Sequence, residues 1–75
     1  MSKEERELTI KLFDHHYLIA TDSIRGMIRQ AGKLAEDYPG IEDSLPELSR
    51  AVSFIIGEWH FIHNKLWEKD NRDGK

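Results

Sequence analysis

Apolar residues recur along this chain at alternating steps of three and four. They fall at Ile10, Phe13, Tyr17, Ala20, Ile24, Met27, Ala31 and Leu34, and again at Leu45, Leu48, Val52, Ile55, Trp59, Ile62 and Leu66. Such spacing repeats the a and d positions of a heptad and places each set on one face of an α-helix. Two long helices are predicted, each with one apolar seam. Folding the chain about residue 39 or 40 sets the seams antiparallel without a break. Leu34 then meets Leu45, Ala31 meets Leu48, Met27 meets Val52, Ile24 meets Ile55, Ala20 meets Trp59, Tyr17 meets Ile62 and Phe13 meets Leu66. The small Ala20 and Ala31 oppose the large Trp59 and Leu48, as a core of even thickness requires.

The punctuation between the patterns agrees. Ser2-Lys3-Glu4-Glu5 has the spacing of a capping box, so the first helix is expected over about residues 3–37. Pro39 disfavours helical geometry at Tyr38, and Gly40 can take the left-handed conformation beyond a helix end. Ser44-Leu45-Pro46-Glu47 reads as a second capping box with proline in the first turn. A turn is expected over about 38–43, the second helix over about 45–69 and a polar tail over 70–75, all within one domain spanning 1–75. The fold class is all-α, an antiparallel helical hairpin.

One seam cannot cover all the apolar residues. Leu12, Ile19, Ile28, Phe54, Ile56, Phe61 and Trp67 fall outside it. A helix that is apolar nearly all round, as the second one is, belongs in an interior that an isolated hairpin cannot make. A second copy could make one, giving a two-fold four-helix bundle in which Leu12, Ile19, Phe54, Ile56, Phe61 and Trp67 are the interface residues. In topology this resembles the plasmid copy-control Rop proteins. The resemblance implies a dimer of hairpins; with no shared motif it carries no RNA binding.

Composition narrows the choices. The 75 residues include no cysteine, which excludes disulfides and thiolate metal sites. A single core of this size contributes only about 3–5 kcal/mol, so oligomerisation or a histidine-bound metal is expected to add to it. Charged residues make up 33% of the chain, yet the net charge is −3, which gives no general attraction to nucleic acid or anionic lipid. No apolar run has the length of a membrane span and the amino end lacks the pattern of a secretory signal, so a cytoplasmic protein is expected.

The candidate chemistry lies in the histidines. In the expected register His16 is across from His63, His60 is one turn before it, and Asp14 and His63 occupy facing e positions. Asp14, His16, His60 and His63 are therefore the candidate ligands of a transition metal, and Asp14–His63 is a candidate charge-assisted pair. A second candidate is an anion site at Arg25, Arg29 and Arg50, although acidic neighbours one turn away from Arg25 and Arg50 suit ordinary solvated ion pairs better. No nucleophile turn, phosphate loop or apolar carboxylate pair is present, so no enzyme activity and no obligatory cofactor are expected. The leading expectation is a small adaptor or regulator, in the manner of a bacterial or phage modulator. It would act as a homodimer that binds another protein.

Overall fold

A computed structural model describes residues 1–73, with side chains described through residue 69. Helix α1 spans Lys3–Asp37, a one-turn 3₁₀ helix spans Ile41–Ser44, and helix α2 spans Leu45–Asp73. The two helices lie side by side in a rod of 58 × 18 × 13 Å. This is an antiparallel helical hairpin.

Local chemistry sets the ends. The Ser2 hydroxyl accepts from the Glu5 amide at 3.1 Å, satisfying one otherwise unpaired donor of the first turn, and the Ser2 carbonyl accepts the first intrahelical bond from the Arg6 amide. At the other end Tyr38, ahead of Pro39, is extended, and its amide still donates to the Leu34 carbonyl. Gly40 then takes φ +102°, a backbone that only glycine adopts without strain, while its amide donates to the Glu42 carboxylate at 3.0 Å. The chain enters α2 straight from the 3₁₀ turn, the Leu45 amide donating to the Glu42 carbonyl. Helix α2 runs beyond the expected end near 69 as far as Asp73; the rest of the anticipated polar tail, Gly74 and Lys75, lies outside the described residues.

The seam differs from the heptad reading in a regular way. Ile10, Tyr17, Ile24 and Ala31 are half-buried as expected, but Met27 is 57% and Leu34 49% exposed, while Thr21 is buried and Ile28 and Ala35 are half-buried. A straight α-helix keeps 3.6 residues per turn, so each seven-residue step falls about 20° short of a full repeat. The row Phe13, Ala20, Met27, Leu34 therefore rolls progressively out of the contact, and the row Asp14, Thr21, Ile28, Ala35 rolls in. Ile28, expected off the seam, is on it. Helix α2 shows the same drift, with Ile62 turning outward and Ile56 and His63 turning inward.

The pairing is offset as well. Trp59 stacks on Tyr17, with ring centres 5.0 Å apart, and Phe13 meets His63 at 6.1 Å. Both α1 rings thus find a partner about one turn away from the one expected, while Asp14 meets His63 as expected. The register follows the aromatic rings rather than the count of apolar positions, because a stack and its hydrogen bonds fix a geometry that undirected apolar contact does not.

Glycine substitutions separate the turn from the helix. Gly40→Ala is expected to cost about 1–2 kcal/mol because of the positive φ. Gly57→Ala, where an added Cβ meets nothing within 4 Å, is expected to gain up to about 1 kcal/mol of helix propensity. Urea denaturation at one fixed protein concentration should show the two alanines moving the midpoint in opposite directions.

Candidate functional site

Two features stand on opposite sides of the hairpin: a polar clasp and an open apolar groove. The clasp begins with Trp59, whose large half-buried ring lies in the seam and brings an N–H that takes an acceptor. Asp14, one turn before Tyr17 on its inward-rolling row, supplies it. Trp59 Nε1 donates to Asp14 Oδ1 at 2.9 Å, and His63 Nε2 approaches the same oxygen at 2.6 Å. A carboxylate only accepts, so His63 carries its proton on Nε2. The rings of Trp59 and His63 lie 4.1 Å apart, and Tyr17 covers the other face of Trp59.

These contacts act on the acid. The hydrogen bond from His63 is the largest influence and lowers the Asp14 pKa; partial burial opposes it, and the Trp59 N–H and the charge of His63 lower it further. The net direction is downward from the ordinary 3.8. The only buried polar side chain among the described residues, Thr21, is also satisfied, its hydroxyl donating to the Tyr17 and Leu18 carbonyls.

The structure separates the expected metal ligands. Asp14 and His63 come together, but His16 lies on the groove side, with its ring 5.9 Å from that of His15, and exposed His60 sits edge-on to Trp59 on the other flank. Among the described residues no three His, Asp or Glu side chains are placed to hold one ion. The expectation that His16, His60, His63 and Asp14 share a site is therefore corrected. The one-turn offset in register moves His16 past His63, and the rolling of the helices carries His16 and His60 to opposite flanks.

The groove arises where the outward-rolling rows of both helices leave the seam. Phe13, Tyr17 and Ala20 form its α1 wall, and Phe54, Ile55, Trp59 and Ile62 its α2 wall, with His16 and Glu58 at the rim. It encloses about 320 Å³ and continues past Phe13 and Ile62 into a second hollow of about 260 Å³ bordered by Thr9, Ile10 and Leu66.

The expected interface residues do not share one surface. Leu12 and Ile19 are half-exposed on the side of α1 turned away from α2, and Phe54 borders the groove. Phe61 lies on the back of α2 with Lys65 Nζ over its ring at 5.5 Å, Trp67 stands on the opposite flank, and Ile56 is half-buried within the hairpin itself. Of the basic residues, Arg50 is paired with Glu47, while Arg25 and Arg29 are exposed on the charged side of α1. The three do not converge on one site. The participation of Trp59 in the clasp was not foreseen; its signal was the need of a seam tryptophan for an acceptor, with Asp14 the carboxylate in reach.

Comparison with protein families, with curated proteins and with solved structures finds no match for this chain. No helix among the described residues is long and apolar enough to cross a membrane.

The clasp predicts an acid dependence. Since the folded Asp14 pKa is depressed, its stabilisation is fully present above the unfolded value and is lost as pH falls through the lower folded value. Between about pH 5 and pH 3 the wild type should therefore lose more unfolding free energy than Asp14→Asn, measured by denaturant titration at each pH. Equal losses would show that the carboxylate contributes nothing by its charge.

Proposed function

We propose that this chain is an interaction protein of adaptor or regulatory kind, working in the cytoplasm as a homodimer of helical hairpins and without chemistry of its own. The observation that carries the reading is the open apolar groove beside an almost coreless seam. Among the described residues Val52 is the only buried hydrophobic side chain, and none is fully enclosed. A compact monomer of 8.8 kDa exposes about 4,800 Å². This hairpin exposes 6202 Å², an excess of about 1,400 Å² where a standard interface takes about 800 Å² from each partner.

Such a surface suits a second hairpin. Two antiparallel helices that leave so much apolar surface uncovered accept another pair at the small crossing angles of bundles. Phe54 and Phe61, 68% and 56% exposed, are the anchors offered to a further protein, since exposed aromatics dominate recognition where they occur. The clasp supports the same reading: it holds the groove walls in register.

Sedimentation equilibrium at micromolar concentration tests it. The expected mass is twice 8.8 kDa, with helicity and melting temperature rising together with concentration. A species of 8.8 kDa that stays cooperatively folded on dilution would overturn the homodimer.

A further inference from the structure

The outer side of α1 carries a second seam that is independent of the one facing α2. At 100° per residue, all six charged residues between 8 and 34, namely Lys11, Asp14, Asp22, Arg25, Arg29 and Lys33, fall within about 100° of arc. Part of the remaining arc faces α2; the rest, on the outer side of α1, faces solvent and carries no Asp, Glu, Lys or Arg between residues 8 and 34. Leu8, Leu12, Ile19, Met27 and Leu34 lie there, each between 49% and 58% exposed. One residue in three of this chain is charged, so such a stretch marks a surface that is covered, because charge is depleted at the centre of interfaces.

The spacing within that face says what covers it. Leu12, His16, Ile19, Ser23, Met27, Gln30 and Leu34 follow steps of four, three, four, four, three and four, which read the same in both directions from Ser23. Such a row suits a two-fold interface, since a helix that packs antiparallel on its own copy pairs residues equally far from the axis. We propose that the occupant is the α1 helix of a second copy, crossing at Ser23. Leu12 then meets Leu34 of the partner subunit, Ile19 meets Met27 of the partner subunit, and His16 lies within reach of Gln30 of the partner subunit. The small Ser23, with Ala20 and Gly26 around it, lets the two backbones approach at the crossing. Helix α1 becomes the centre of the assembly, and Phe54 and Phe61 stay on its outside. This rests on the homodimer proposed above and assigns its face, and the excess exposed surface described there is enough to cover that face.

The experiment uses the full chain, whose lack of cysteine makes single-cysteine reporters unambiguous. Across a two-fold axis a residue meets itself, so Ser23→Cys should oxidise to a covalent dimer at micromolar concentration, well above the background of Leu18→Cys, which lies on the charged side. Ile19→Lys and Met27→Lys should each weaken dimerisation by about 30-fold or more while circular dichroism keeps its helical signal. Phe54→Glu/Phe61→Glu should leave the dimer intact. A wild-type monomer overturns the homodimer and this face together. This face alone is overturned if the wild type is a dimer but both lysine variants still dimerise, the double glutamate variant dissociates, or Ser23→Cys crosslinks no better than Leu18→Cys.

Discussion

Two helices can touch along only one line. A straight helix presents less than half its circumference to a single neighbour, and the rest must meet water or something else. In this hairpin the restriction is tightened because the apolar residues repeat every seven positions while the helix turns every 3.6. Phe13 and Ala20 stay near the contact, and Met27 and Leu34 have turned away from it by the far end of α1. The groove, the exposed leucines and the shortage of fully enclosed side chains all descend from that mismatch. A supercoiled pair would have kept the rows together; a straight pair leaves apolar rows uncovered that another pair of helices can cover.

A contact line made mainly of aliphatic side chains is slippery, since sliding by one turn replaces one apolar pair with another. The Asp14 oxygen removes that freedom. It accepts from Trp59 and His63 together, and both donors sit on α2 one turn apart, so only one axial position satisfies them. Tyr17 and Phe13 extend the same ring ladder along α1. The net return of such half-buried bonds is small, so the clasp acts more as a selector of register than as a source of stability. The walls of the groove inherit their alignment from it.

The helices and the turn were readable residue by residue. Ser2 and Glu5 mark the start, Tyr38, Pro39 and Gly40 mark the break, and the three-four spacing identifies two helices that must be neighbours because the connection is short. These are local signals, carried by the dihedral preferences and hydrogen-bonding groups of a few adjacent residues. The Asp14–His63 pair was also accessible, because antiparallel folding of the two heptad patterns sets those two flank positions facing one another.

Other features required the packed chain. Whether Trp59 lies against Ala20 or Tyr17, and whether His16 faces His63, turns on a shift of one helical turn that leaves the apolar pattern equally well matched. Only the competition between ring stacking, the tryptophan N–H and the available carboxylate resolves it. The seam assignments of Met27, Ile28 and Leu34 likewise depend on whether the helices coil around one another, which is a property of the pair and of neither stretch of sequence alone. One-dimensional spacing therefore determined that two helices exist and where they end, while the burial of each side chain and the separation of the histidines were decided by directional contacts between residues 45 and 49 positions apart.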